Sequence, residues 1–273
     1  KYLFDNKTFK LNYVFLFTKF YPLNIMKILV CISHVPDTTS KMNFTENNSK
    51  FDKNGVQFVI NPNDEFGLTR AMWLKEKQGA SVDVINVGLS DTEPTLRKAL
   101  AIGADKAIRI NTEPKNGLNV AKQVANLVKS ENYDLVIGGR ESIDYNGGMV
   151  PGMIAALTDY NFVDKCISIE INNGSVTANR EIEGGIEIVE SKLPLVIAGQ
   201  KGLVEESDLQ IPNMRGIMMA RRKELQVLDP IDLDDSTSSV NFEKPQPKAE
   251  VTLVSSENVD ELINLLHNEA KAI

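Results

Sequence analysis

From Met26 onward the chain alternates short apolar runs with longer stretches in which apolar residues recur every three or four positions. "KILVCI" (27–32), "SVDVINVG" (81–88), "KAIRI" (106–110) and "DLVIGG" (134–139) have the length and β-branched content of buried strands. "VQFVINP" (56–62) reads as another strand leading into a helix. The apolar face of that helix is Phe66, Leu68, Ala71, Met72 and the aliphatic stem of Lys75, and the pair Asn63-Asp64 suits its N-cap. A second helix has Pro94 in its first turn, Leu96, Ala99 and Leu100 on one face, and Gly103 as its stop. A third repeats Ala121, Val124, Leu127 and Val128 between Leu118 and Val128. Strands alternating with helices of this length predict an α/β fold: a mainly parallel, doubly wound sheet covered on both faces.

After Leu157 the rhythm changes. "VDKCISIEINNGSVTANREIEGGIEIVESKLPLVIAG" reads as successive strands with an Asn-Gly turn at 173–174. Beyond Pro230 a polar, proline-containing stretch predicts an extended arm, ending in a short helix with Val259, Leu262, Ile263 and Leu266 on one face. So short a helix is not stable alone and must dock. Residues 1–25 differ from the rest. Lys10, Asn12 and Lys19 interrupt their apolar residues, so they lack the apolar core of about 7–15 residues that a signal peptide needs, and the ~20 that a membrane span needs. The expectation is a leader outside the fold, with translation starting at Met26; the alternative is a weak membrane-surface anchor.

Composition narrows the function. At 273 residues and 42% hydrophobic content the chain can bury a full core, and a net charge of −7 argues against general nucleic-acid binding. Two cysteines, Cys31 and Cys166, make no disulfide framework, which points to a reducing, cytoplasmic setting. The two histidines, His34 and His267, lack partners at metal-ligand spacing. His34 reads as a loop side chain and Cys31 as a packed strand residue.

Open parallel sheets bind ligands at the carboxyl ends of their strands, which makes the loops after Ile32, Ile60, Val87 and Gly139 the candidates. The last, "GGRESIDYNGGMVPGMIAAL", runs through Gly147 and Gly148 into a helix beginning near Val150. Glycines let backbone amides approach an anion and a helix start favours negative charge, so the loop suits a phosphate. The plainer alternative is a strand-helix turn whose glycines serve geometry only. There is no G-x-G-x-x-G, no G-x-x-x-x-G-K-[ST], no G-x-S-x-G and no H-E-x-x-H.

The stretch "ANREIEGGIEIVESKLPLVIA" (178–198) changes the picture. Arg180, Glu183-Gly184-Gly185, Glu187, Val189 and Pro194 are similar, without a gap, to the signature of the electron transfer flavoprotein β subunit. "MKILVCISHVPDTTSK", "VINPNDEFGL", "LRKALAIGADKAIRI", "GRESIDYNGGMVPGMIA" and "IMMARRK" resemble further family segments in order, so the resemblance covers residues 26 to about 228. It implies a Rossmann-like nucleotide-binding domain over 26–228, with a partner-recognition loop at 202–224, and an arm over 229–273 that docks on an α subunit. It also implies an electron carrier without catalysis of its own, moving electrons from acyl-CoA and related dehydrogenases, as in fatty-acid β-oxidation, to a quinone oxidoreductase. FAD would be held mainly by the α subunit and a structural AMP by this chain. Carried over by position, the AMP site comprises Cys31, Asn61, Pro62, Asn63, Asp64 and Val87. It continues through Gly139, Arg140, Glu141, Ser142, Ile143, Asp144, Tyr145, Asn146, Gly147, Gly148, Met149 and Val150.

The chain departs from the family pattern in places. Met149 stands where many relatives have an amide side chain, so at least one phosphate contact must come from backbone or from Asn146. Thr38 and Asn63 stand where some relatives place aromatics near the flavin, implying a more polar flavin surround. In relatives a protruding loop inserts one apolar anchor into the dehydrogenase. Met214 matches it, flanked by Arg215, Ile217, Arg221 and Arg222, whose charges would speed encounter. The alternative packs Ile217 and Met218 on the sheet. Two other readings stay open: an FAD in place of AMP, as in bifurcating relatives, and a stand-alone adenine-nucleotide-binding regulator.

Overall fold

The computed structural model describes residues 25–233, 237, 239–247 and 250–273; the expected leader lies outside them except for Ile25. The strands are β1 (Lys27–Cys31), β2 (His34–Pro36), β3 (Phe44–Thr45), β4 (Lys50–Phe51), β5 (Phe58–Ile60), β6 (Ser81–Val87), β7 (Lys106–Ile110) and β8 (Leu135–Gly139). β9 (Asn161–Asn172), β10 (Ser175–Ile182), β11 (Gly185–Lys192), β12 (Leu195–Gly199) and β13 (Leu225–Leu228) complete them. The α-helices are α1 (Pro62–Gln78), α2 (Glu93–Ile102), α3 (Gly117–Glu131), α4 (Val150–Thr158), α5 (Met214–Ala220) and α6 (Val259–Asn264).

Nine strands form one sheet in the order β11-β10-β9-β12-β8-β1-β6-β7-β13. Every neighbouring pair from β9 to β13 is parallel, and β10 and β11 extend the sheet as antiparallel strands. The Asn173-Gly174 turn between β9 and β10 has φ of 51 and 82°, as an Asn-Gly hairpin turn requires. The chain runs outward from β1 through β6 to β7, then returns to lay β8 on the other side of β1, so the order reverses between β1 and β8.

Alternation along the central strands divides the core in two. Ile28, Val30, Val82, Val84, Leu135 and Ile137 pack with Phe66, Leu68, Ala71 and Met72 of α1 and Leu96, Ala99 and Leu100 of α2. Leu29, Ile85, Ile108 and Val136 pack with Ala121, Val124, Leu127 and Val128 of α3 and Ile154 and Ala155 of α4. Ile28, Leu29, Leu135 and Ile137 are fully buried, where truncation to alanine costs about 2–5 kcal/mol. The faces expected from the sequence for α1, α2 and α3 are therefore buried ones.

Three expectations are corrected. The run 56–62 yields only β5, which pairs antiparallel with β2 outside the main sheet. α1 starts earlier than expected, with Asn61 as its N-cap residue and Pro62 at its first position. Proline's fixed φ suits that place, and it carries Asn63 and Asp64 into the first turn. His34 lies on β2 rather than in a loop, stacked on Phe58 at 4.3 Å.

The described residues divide into two compact units. The larger takes in the described residues of 25–41 and 53–237, and carries the nine-stranded sheet. The smaller joins Met42–Asp52 to Ser239–Ile273. In it β3 and β4 pair antiparallel, Phe44 stacks on Phe242 at 5.3 Å, and the Phe242 amide donates to the Asn48 carbonyl at 2.8 Å. Val259, Leu262 and Ile263 of α6 are exposed. Among the described residues no helix is long and apolar enough to cross a membrane.

Candidate functional site

The carboxyl ends of β1, β6 and β8 bring the predicted nucleotide segments together. Cys31 ends β1, Val87 ends β6 and Gly139 ends β8, flanking the point where the strand order reverses. A crevice outside the strand ends at such a point is the usual ligand site of an open α/β sheet.

Hydrogen bonds from the start of α1 fix the loop that leaves β8. The buried Asn61 donates through Nδ2 to the Glu141 carbonyl at 2.9 Å and accepts through Oδ1 from the Ile143 amide at 3.2 Å. Asn63 donates to the same Glu141 carbonyl at 3.1 Å. Asp64 accepts through Oδ1 from the Gly139 amide and through Oδ2 from the Ser33 amide, both at 2.7 Å. The Asn61 side chain thus serves the neighbouring loop and makes no cap bond to its own helix. A side chain at Gly139 would force its neighbours to shift: its Cβ would lie 2.4 Å from Asp64 Oδ1 and 2.8 Å from Asn63 Cβ.

Past Ile143 the loop opens to solvent. Tyr145 is 71% exposed, and the Asn146 amide donates to the Ser142 carbonyl at 2.8 Å. Asn146 and Gly148 take left-handed φ values of 48 and 58°. A Cβ on Gly148 would meet only the Arg140 carbonyl, at 3.8 Å. α4 then begins at Val150 with Pro151 behind it, and the first amides of a helix have no acceptor of their own. Met149 lies against the start of α3, its Cγ and Sδ 3.0 Å from where a Gly117 Cβ would be. Gly147 and Gly148 thus lead, with little side-chain bulk beside Gly148, into the start of α4, an arrangement that suits a phosphate.

A model of the electron transfer flavoprotein domain matches residues 49–233. The chain is 32% identical over 262 residues to "Electron transfer flavoprotein subunit beta" of Bacillus subtilis, covering 91% of this chain and all of that one. It is 35% identical over 263 residues to "Electron transfer flavoprotein subunit beta, mitochondrial" of Oryza sativa subsp. indica, with the same coverage. A Syntrophomonas wolfei protein called "Electron transfer flavoprotein subunit beta" is 30% identical over 226 residues, 82% of this chain and 88% of its own. The chain belongs to the electron transfer flavoprotein β-subunit family.

As a β subunit it implies an α partner, and its family is one of flavoproteins. Burial shifts three titratable groups near the crevice. Burial, with Asp64 as the lesser cause, pushes the Cys31 thiol up to about 12, so it stays protonated at neutral pH. Burial also raises the Asp64 carboxyl to about 6, against the pull of its hydrogen bonds to Ser33 and Gly139. His34 is lowered by burial, and its Nδ1 lies 2.8 Å from Thr95 Oγ1.

Sequence reasoning missed two contributors to this β subunit's crevice. Ser33 supplies an amide to Asp64, and Gln200 contacts Arg140 at 3.1 Å. Gln200 follows Gly199 of β12 as Arg140 follows Gly139 of β8, a parallel that was visible in the two apolar runs. A separate cavity of about 280 Å³ lies between α3 and β13, and no predicted site residue lines it.

The partner-recognition segment forms α5 over Met214–Ala220, with Arg221, Arg222 and Lys223 directly after it; Asn213 Oδ1 caps the helix, accepting from the Gly216 amide at 2.8 Å. Gly216 lies so close to α2 that a Cβ there would be 2.3 Å from the Ala101 carbonyl oxygen. Arg97 bonds the Ala220 and Lys223 carbonyls at 2.7 and 2.8 Å. With the helix held from beneath, Met214 is 75% exposed and Met218 67%, and Ile217, Met219, Arg215, Arg221 and Arg222 are exposed as well. Ile217 and Met218 thus belong to the surface patch and do not pack on the sheet. Lys223 turns the other way, donating to the Leu100 and Ala104 carbonyls at 3.0 and 2.6 Å.

Proposed function

We propose that this β subunit holds an AMP as scaffolding in the crevice between β1, β6 and β8. With an α subunit that holds most of an FAD, it would carry electrons in the cytoplasm from acyl-CoA and related dehydrogenases to a quinone oxidoreductase. What supports the reading is that Asn61, Asn63 and Asp64 bond to the loop 139–143 at the strand ends, beside the reversal of strand order.

Amides of Gly147, Gly148 and Val150 hold the phosphate, and the α4 dipole favours its charge. Strand-end backbone beside Cys31 and Val87 reads the adenine. Asn61 and Asp64 hold the loop in place for both. The FAD, when bound, supplies the one- and two-electron chemistry, and this chain contributes binding surface and no reacting group. Met214 docks on the dehydrogenase inside a rim of arginines, a small contact suited to transient exchange.

The test is to co-express the full chain with its α subunit and count nucleotides in the purified heterodimer. One FAD and one AMP support the reading. Two flavins and no AMP would replace it with a bifurcating-type subunit, and no adenylate at all would defeat it.

A further inference from the structure

The stretch Arg180–Gly185 carries the family signature, yet the function above gives it no task. It closes β10 and forms the turn into β11, where Gly184 takes φ of 83°. Arg180 pairs with Glu187 across the two strands at 3.4 Å. Glu181 accepts a hydrogen bond from Nε2 of Gln200. Gln200 is polar but only 6% exposed, and its backbone N–H donates to the Cys166 carbonyl at 3.2 Å.

Gln200 Oε1 accepts from Arg140 Nη1 at 3.1 Å, while Arg140 Nη2 pairs with Glu141 at 2.5 Å. The Glu141 carbonyl in turn receives Asn61 and Asn63. An unbroken chain of polar contacts thus runs from the signature hairpin to α1, through the first two residues of the loop after β8. Charge dictates its sense. A carboxylate only accepts and a guanidinium only donates, so the Gln200 amide must turn its nitrogen to Glu181 and its oxygen to Arg140.

We propose that Gln200 is a positioning residue for the loop after β8, orienting Arg140 against Glu141, and that Glu181 of the signature orients Gln200. Freed of Gln200, the Arg140 guanidinium keeps Glu141 alone as its partner, and the loop from Arg140 to Gly148 is held by the Arg140 amide on the Gly199 carbonyl and by its contacts with α1. The identity of the ligand that feels this rests on the AMP reading; the fastening of the loop does not.

The experiment uses the full chain with its α subunit and compares wild type, Gln200→Leu, Arg140→Met and the double variant. Amide exchange across 140–148, melting temperature and AMP affinity of nucleotide-stripped protein are measured. In Gln200→Leu, loop exchange accelerates and AMP binds about tenfold more weakly, the worth of one hydrogen bond to a charged group. The melting temperature stays close to wild type, and the double variant is no weaker than Arg140→Met. Glu181→Gln, whose amide oxygen still accepts, keeps most of the affinity, whereas Glu181→Lys loses it; this pair decides the matter if Gln200→Leu does not fold. Unchanged exchange and affinity in Gln200→Leu, or additive losses in the double variant, overturn the proposal while leaving the AMP reading intact. A wild type that binds no AMP, but whose loop exchange still responds to Gln200→Leu, sinks the AMP reading and keeps the fastening.

Discussion

Asp64 Oδ1 accepts the Gly139 amide at 2.7 Å, so the first turn of α1 is bonded directly to the last residue of β8. The contact is possible because Gly139 has no side chain; a Cβ would sit 2.4 Å from that same oxygen. Gly139→Ala is therefore expected to cost about 1–3 kcal/mol by overpacking and to displace the loop that follows. Urea unfolding measures the cost, and a variant as stable as wild type would contradict the close approach of α1 and β8.

The same carboxylate makes stability depend on pH. Its folded-state value of about 6 lies above the ordinary aspartate value of about 4. Between the two the folded chain binds a proton that the unfolded chain releases, so this group's contribution falls as pH rises. It falls by up to about 3 kcal/mol from pH ~4 to ~6 and is level above that. Asp64→Asn lacks the titration. The stability of wild type minus that of Asp64→Asn should decline across the window in paired unfolding curves; a difference that does not vary with pH would refute the assignment.

Much of this was legible in the chain. Runs such as 28–31 and 135–139 are strands because a parallel sheet covered on both faces demands nearly continuous apolar residues. The apolar faces of α1, α2 and α3 were readable from their spacing alone. The crevice was legible only as a set of loops. Asn61 falls in the strand-like run 56–62, and only the fold shows its amide serving a loop about 80 residues away. β5 was overread because its apolar run is strand-like while its partner, β2, is short and lies outside the main sheet. β13 was hidden among charged neighbours, since an edge strand of four residues carries little pattern. The pairing of 42–52 with the C-terminal segment is non-local, and nothing in either stretch announces the other.

The basic stretch separates by direction, and substitution should separate it by effect. Lys223 donates to two carbonyls at the end of α2, so Lys223→Met should cost about 1–2 kcal/mol. Arg221 and Arg222 are exposed, and Arg221→Ala or Arg222→Ala should stay within about 0.5 kcal/mol of wild type. Their loss should instead slow association with the dehydrogenase and flatten its salt dependence in stopped-flow measurements. Equal stability losses at all three positions would contradict the division.

Met214 is 75% exposed on a helix anchored from below. Met214→Ala should leave stability within about 0.5 kcal/mol of wild type, yet slow electron transfer from the dehydrogenase about tenfold or more, as loss of a central anchor does. Transfer at the wild-type rate would remove the anchor role.

The most direct test of the central claim is a crystal structure of this chain with its α subunit, purified without added nucleotide. The account predicts an AMP between β1, β6 and β8, with its phosphate on the amides of Gly147, Gly148 and Val150 and its adenine beside Cys31 and Val87. A flavin ring in that crevice, or a phosphate held anywhere else on the chain, would contradict it.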